Sequence, residues 1–260
     1  QKFLYYAPVQ AEERQFLIEQ HLQKVEFASL EELSEKVDVS VSTVRRDLTL
    51  LETKGNIRRT HGGARLVTPK SDEFAFTARD THQLSEKDVI GQAAAELVQP
   101  NQGVIVDAGT TAYHVAKHLG GKASHIITNS LPVANHFGSD NSVEVLVTGG
   151  VIYPRLGVLV GPLAVESLSK MHADVAIMSG GGITMDGITN SHALLIDIQR
   201  AMLQSAQRII FCLDHTKFNR RSVSPLCELD AIDTIVTDAQ APADLVGQLK
   251  QTNTQVVVAN

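Results

Sequence analysis

Between residues 40 and 65 the chain places hydroxyls and guanidinium groups in an order that suits a polyanion. Ser40, Ser42 and Thr43 are followed by Arg45 and Arg46, and then by Arg58, Arg59 and His61. Hydroxyls donate to phosphate oxygens, and an arginine can read a guanine edge with two parallel hydrogen bonds. The charge is local: residues 40–70 carry +5, although the whole chain carries −6 and residues 71–260 carry −7. An acidic total therefore hides one basic island of the kind that nucleic acid attracts.

A second set of polar residues recurs wherever a short apolar run ends. The runs close on Asp107-Ala108-Gly109-Thr110-Thr111, Thr128-Asn129-Ser130, Thr148-Gly149-Gly150, Ser179-Gly180-Gly181-Gly182 and Asp214-His215-Thr216-Lys217. Glycines let backbone amides approach an anion, hydroxyls donate to it, and helix N-termini add partial positive charge. Any one such loop is an ordinary strand-to-helix turn. Five on one sheet edge indicate a phosphate or sugar-phosphate site, with Asp107, Gly109, Thr110, Thr111, Asn129, Ser130, Gly149, Gly150 and Lys217 as candidate ligand contacts.

The elements that must position the basic island read as three helices and a hairpin. Phe16, Leu17, Ile18 and Leu22 fall at helical spacing. Ser29 with Glu32 makes a capping box for a helix over 30–37, and Ser40 caps another over 41–54 that Gly55 closes. Two short helices joined by a three-residue turn form a helix-turn-helix, and a basic hairpin over residues 56–66 with Gly62-Gly63 near its tip forms a wing. Arg45 and Arg46 alone would suit a merely solvated face. Their agreement with the caps, the turn and the wing points to DNA.

The strand-end loops need a different scaffold. Apolar runs at 103–106, 126–128, 143–147, 175–178, 209–213, 232–237 and 255–258 alternate with helical stretches such as 113–119, 163–169 and 194–206. Fully apolar short strands alternating with helices imply a largely parallel sheet covered on both faces, with ligands outside the carboxyl ends of its strands. The organisation expected is a winged helix-turn-helix over residues 8–67 (its helix-turn-helix at about 29–48), a linker over 68–84 that docks through Phe74 and Phe76, and an α/β effector domain over 85–260.

The strings Ser40-Val41-Ser42-Thr43-Val44-Arg45-Arg46-Asp47-Leu48 and Ile57-Arg58-Arg59-Thr60-His61-Gly62-Gly63-Ala64 together resemble the winged helix-turn-helix signature of the DeoR family of bacterial sugar-metabolism repressors. Asp107-Ala108-Gly109-Thr110-Thr111, Ile126 to Leu131, Gly149-Gly150, Gly161-Pro162 and Asp214 to Phe218 are similar to the same family's effector domain. The resemblance implies operator reading by Ser42, Thr43, Arg45 and Arg46, a structural pairing of Asp47 with an arginine, and a fold like that of sugar-phosphate isomerases. It also implies a phosphorylated sugar near Gly109, Thr110, Thr111, Asn129, Ser130 and Lys217. One stretch departs: many relatives carry acidic residues followed by Lys where this chain has Leu194-Leu195-Ile196-Asp197-Ile198-Gln199-Arg200.

Other chemistries find less support. Neither G-x-G-x-x-G with an acidic ribose partner nor G-K-[ST] occurs, against dinucleotide and P-loop nucleotide sites. His114 and His118 lack a third ligand, Cys212 and Cys227 lack metal or redox spacing, and Ser130 with His215 lacks a nucleophile elbow. No catalytic residue, metal or cofactor is assigned. Residues 1–10 show no leader pattern and no apolar run is long enough to span a bilayer, so a cytoplasmic protein without membrane contact is expected.

The expected function is a transcriptional repressor of a carbohydrate-utilisation operon, binding double-stranded operator DNA and relieved by a phosphorylated sugar acting through the 68–84 linker. Two half-sites call for a homo-oligomer, a dimer or tetramer. The alternative is a sugar-phosphate isomerase with an attached DNA-binding module. Replacing both Arg45 and Arg46 by Ala is expected to weaken duplex binding by about tenfold or more at moderate salt. Unchanged affinity in a mobility-shift titration would remove the third helix from the interface.

Overall fold

The computed structural model describes residues 11–22, 25, 27–53, 57–60, 62–66 and 75–260. Two units result, residues 1–72 and 73–260. His61 and residues 67–74, which include Phe74 and the first part of the expected linker, lie outside the described residues, as do Lys54 and Gly55.

The first unit runs α1 (Ala11–Leu22), β1 (Ala28–Ser29), α2 (Leu30–Val37), α3 (Val41–Thr53), β2 (Ile57–Thr60) and β3 (Gly63–Leu66). Ile18 and Leu22 of α1, Leu33 and Val37 of α2, and Val44, Leu48 and Leu51 of α3 bury together with Ile57 and Ala64 of the hairpin. Phe16 departs from the sequence reading and is exposed; the buried position beside Ile18 goes to Gln15, whose amide reaches Asp47. Asp47 is itself buried, and Arg14 donates to its two oxygens at 2.7 and 3.1 Å, which ties α1 to α3. The expected arginine partner thus comes from another helix. Ser29 caps α2 by accepting from the Glu32 amide, but the reciprocal half of the capping box is not made: the Glu32 carboxylate turns to His21 at 2.7 Å.

The wing has a third strand that the sequence did not suggest. β3 pairs with β2 on one side and with β1 on the other, Ser29 lying opposite Gly63. A Cβ on Gly63 would lie 2.1 Å from the Ala28 carbonyl oxygen, so the position admits only glycine at this strand separation.

The second unit opens with α4 (Phe76–Thr81) and α5 (Leu84–Glu96). It continues β4 (Gly103–Val106), α6 (Thr110–Lys117), β5 (His125–Thr128), α7 (Leu131–Phe137), β6 (Glu144–Val147), β7 (Val151–Tyr153), β8 (Val158–Val160) and α8 (Pro162–Ser169). It ends β9 (Ala173–Met178), β10 (Gly182–Thr184), β11 (Gly187–Asn190), α9 (Ala193–Gln204), β12 (Ala206–Cys212), β13 (Ser224–Cys227), β14 (Thr234–Asp238), α10 (Ala243–Leu249) and β15 (Gln255–Ala259). Every apolar run read as a strand joins one seven-stranded parallel sheet, ordered β15-β14-β12-β9-β4-β5-β6.

Alternation along each strand feeds two cores. Val104 and Val106 face a core built with α5, α6 and α7, while Ile105 between them faces one built with α8, α9 and α10. The result is a three-layer sandwich. Strand order proceeds from β4 to β5 and β6 in one direction and from β9 to β12, β14 and β15 in the other, so it reverses between β4 and β9. The chain leaves β4 into α6 on one face and reaches α9 on the opposite face after β9, which opens a crevice at their carboxyl ends.

Residues 75–84 are not a plain linker. Phe76 packs edge-on to Tyr113 at 5.4 Å and its amide donates to the Arg155 carbonyl, and α5 follows from Leu84. Gly63→Ala is expected to destabilise the first unit by roughly 1–3 kcal/mol through forced separation of β1 from β3. An unaltered unfolding midpoint for that unit would contradict the close approach described.

Candidate functional site

In the first unit Ser40 ends the turn before α3. Its hydroxyl accepts from the Thr43 amide and lies 2.8 and 3.0 Å from the hydroxyls of Ser42 and Thr43, so it organises the helix start. Arg45, Arg46 and Arg58 are exposed and make no ion pair among the described residues. Arg59 differs. Its backbone amide and Nε donate to Glu52 at 3.0 and 2.6 Å and its Nη1 donates to Thr49, so it anchors the wing to α3. Those bonds, the backbone one foremost, hold the Glu52 carboxyl below its ordinary range. Arg59 is thus spoken for, whereas Arg45, Arg46 and Arg58 present uncommitted charge.

In the second unit the crevice at the reversal is a cavity of about 410 Å³, within the roughly 300–1,000 Å³ usual for small-molecule sites. Of the sequence candidates, Asp107, Gly109, Thr110, Thr111 and Lys217 line it. Asn129, Ser130, Gly149 and Gly150 do not: Asn129 donates to the Leu159 carbonyl, Ser130 caps α7, and Gly150 packs against the Val160 backbone. Asn129, Ser130 and Gly150 support the β7–β8 hairpin, and Gly149 faces α8.

Asp107, just past β4, is wholly buried. Ser179, just past β9, donates to its Oδ2 from Oγ at 2.5 Å and from the backbone amide at 3.2 Å, and Gln199 of α9 donates to the same oxygen at 3.2 Å. Burial pushes the Asp107 carboxyl above its ordinary range against these bonds and one from the Ala108 amide. A Cβ on Gly109 would fall 1.6 Å from Ser179 Oγ, so glycine there is what lets the two strand ends meet.

The cavity's cations come from other elements. Lys217 lies 3.8 Å from Asp214, on a turn that Asp238 clamps through the backbone amide and ring Nδ1 of His215. Lys87 of α5 is buried and donates to the carbonyls of Arg79 and His82, which also line the cavity. Burial lowers its ammonium to about 8. Arg220 adds a further guanidinium. Lys87 and Arg79 escaped sequence reasoning because they precede the first strand of the sheet, and only folding brings them to its edge.

The other constellations resolve into structural pairs. His114 contacts Asp80 at 3.2 Å and His118 contacts Asp88 at 3.0 Å; among the described residues no group of three or more His, Cys, Asp or Glu is placed to hold a metal. Burial raises both thiols, Cys227 to about 12, so neither is a ready nucleophile at neutral pH. Among the described residues no helix is long and apolar enough to cross a membrane.

A winged helix-turn-helix with exposed arginines, followed by a parallel α/β unit with a polar cavity at its switch point, defines a DNA-binding regulator with a sensor. Residues 14–70 match the family model of the DeoR-like helix-turn-helix domain and residues 82–239 that of the DeoR C terminal sensor domain. The chain belongs to the DeoR family of transcriptional regulators. It is 34% identical to the HTH-type transcriptional repressor GlcR of Bacillus subtilis, over 90% of this chain and 92% of that one. It is 33% identical to the HTH-type transcriptional regulator GolR of Listeria innocua, over 88% and 91%, and 32% identical to the L-fucose operon activator of Haemophilus influenzae, over 89% and 93%. Ribose 5-phosphate isomerase A from Neisseria gonorrhoeae aligns over 54% of each chain at 16% identity with a TM-score of 0.35, too weak a likeness to argue from.

Lys87 generates a pH prediction. Its folded value lies below the ordinary 10.5, so between about pH 8 and 10.5 the unfolded chain holds more protons at this group than the native one. The group's contribution to stability therefore rises with pH across that window, as the cost of burying the ammonium is relieved. Urea unfolding of the chain and of Lys87→Met is expected to differ by this slope; parallel curves would show that Lys87 titrates normally.

Proposed function

We propose that this protein is a cytoplasmic repressor of a carbohydrate-utilisation operon, acting as a homo-oligomer on paired operator half-sites and relieved by a phosphorylated sugar. The supporting observation is the pairing of two chemistries in one chain: uncommitted arginines at the start of α3 and on the wing, and a cavity that combines the cations Lys87, Lys217 and Arg220 with the hydroxyls of Thr110 and Thr111. On this reading Arg45, Arg46 and Arg58 contact DNA, Ser42 and Thr43 add hydroxyl contacts, and Ser40 and Arg59 hold the helix and wing in place. His61 completes the wing's candidate set.

In the sensor unit the phosphate takes the cations and the first amides of α6, where partial positive charge adds to theirs. The relatives include one named as a repressor and one named as an operon activator. Arg79 in the last turn of α4 and His82 at its C-terminal cap line the cavity, which offers the effector a direct contact on the segment that follows the DNA-binding unit in the chain. Regulation requires that the effector bind the DNA-free arrangement more tightly than the DNA-bound one.

Lys217→Ala and Thr110→Ala are each expected to leave duplex affinity unchanged and to weaken the sugar-phosphate response by about tenfold or more. Fluorescence anisotropy on a duplex selected from random sequence, with and without sugar phosphate, makes the comparison. Lost DNA binding with an intact response would reverse the assignment of the two units, and turnover of pentose or hexose phosphates would establish an isomerase instead.

A further inference from the structure

Helix α4 is the first described helix after the DNA-binding unit, and few groups grip it. It is six residues long and buries none of them. A helix so short has no stability of its own, so its seat depends on its neighbours. Near its start Phe76 packs against Tyr113 of α6, and further along Asp80 lies 3.2 Å from Nε2 of His114, also on α6. At its end the grip is Lys87 of α5, whose ammonium donates to the carbonyls of Arg79 and His82.

The same lysine holds the turn between α4 and α5. Gln83 has φ of 52°, a left-handed conformation in which a glutamine is uncommon, and its carbonyl accepts from the Lys87 amide at 3.0 Å. Arg79, His82, Gln83 and Lys87 all line the cavity. An ammonium has three hydrogens, and Lys87 spends two of them on α4. Among the described residues none takes the third, and the carboxylates whose charge reaches Lys87 have other partners, Asp80 in His114 and Asp214 in Lys217. A buried positive charge on the cavity wall thus lacks an anion, and a phosphate supplies one through a charge-assisted hydrogen bond.

Resting on the sugar-phosphate reading above, we propose that Lys87 links the ligand to the linker: the phosphate takes its third hydrogen while the other two stay on Arg79 and His82, so an occupied cavity fastens the end of α4. Occupancy then fixes the segment that leads to the DNA-binding unit. Lys217 and Arg220 also line the cavity, but among the described residues neither bonds to α4, so they hold the anion without transmitting its presence.

Hydrogen exchange on the full chain tests this, with glucose 6-phosphate and ribose 5-phosphate as probes. A saturating probe should slow exchange of the amides of residues 76–83 by about tenfold. Lys87→Met should bind the probe about tenfold more weakly by calorimetry. At saturation its residues 107–111 should still be protected, while residues 76–83 should exchange as they do without ligand. Phe76 does not line the cavity. Even so, Phe76→Ala should weaken the probe roughly threefold in the unaltered chain and leave it unchanged in Lys87→Met, a coupling that a merely structural lysine would not show. Duplex affinity without ligand reports an intact fold in each variant. Bound probe with unchanged or faster exchange in α4, α4 protection that survives Lys87→Met, or independent effects of the two substitutions would overturn the proposal. So would complete loss of binding in Lys87→Met, because Lys217 and Arg220 are expected to retain the anion. Failure of both probes to bind the unaltered chain would instead overturn the sugar-phosphate reading beneath it.

Discussion

The reversal of strand order between β4 and β9 is the constraint on which the sensor unit depends. Parallel strands must send their connections over one face or the other, and where neighbours send them to opposite faces no helix covers the gap. Asp107 and Ser179 occupy that gap and hold its two walls together through their hydrogen bonds. Gly109 permits the approach, and Gln199 reaches across from α9 to complete it. A polar network at the centre of an apolar sandwich is costly unless every member is bonded, and here the cost sustains a ligand-sized opening instead of a closed core.

The first unit solves a smaller problem by similar means. Polar contacts add register to its apolar core: Arg14 to the buried Asp47 between α1 and α3, and Arg59 to Glu52, at the surface, between the wing and α3. Arg14 grips its carboxylate through two guanidinium nitrogens, whereas Arg59 divides its guanidinium between Glu52 and Thr49. Both also commit an arginine to a carboxylate, and an arginine so held is not offered to a phosphate.

The sequence made the seven-stranded sheet legible because parallel strands buried on both faces read as continuous apolar runs, and Val104 to Val106 or Ile209 to Cys212 have no other reading of comparable strength. It also showed α2 and α3, whose caps at Ser29 and Ser40 are local signals. Strands of two to four residues such as β1, β7, β8, β10 and β13 left no periodicity to detect. The cavity was half legible. Asp107, Gly109, Thr110, Thr111 and Lys217 follow strands or begin helices and are found by position, whereas Lys87, Arg79, Asn190 and Gln199 reach it only through tertiary packing. Gln199 drew notice as a departure from the family pattern, and its role emerged from its bonds to Asp107 and Asn190.

The central claim is that occupancy of the cavity and occupancy of DNA are linked. Linkage is reciprocal: if a sugar phosphate weakens duplex binding by some factor, saturation with that duplex must weaken sugar-phosphate binding by the same factor. The decisive measurement is calorimetric titration of one sugar phosphate into the protein alone and into its complex with a selected duplex, at fixed salt. The account predicts a dissociation constant that is higher in the complex by the factor the ligand imposes on DNA. The same constant in both titrations would contradict it.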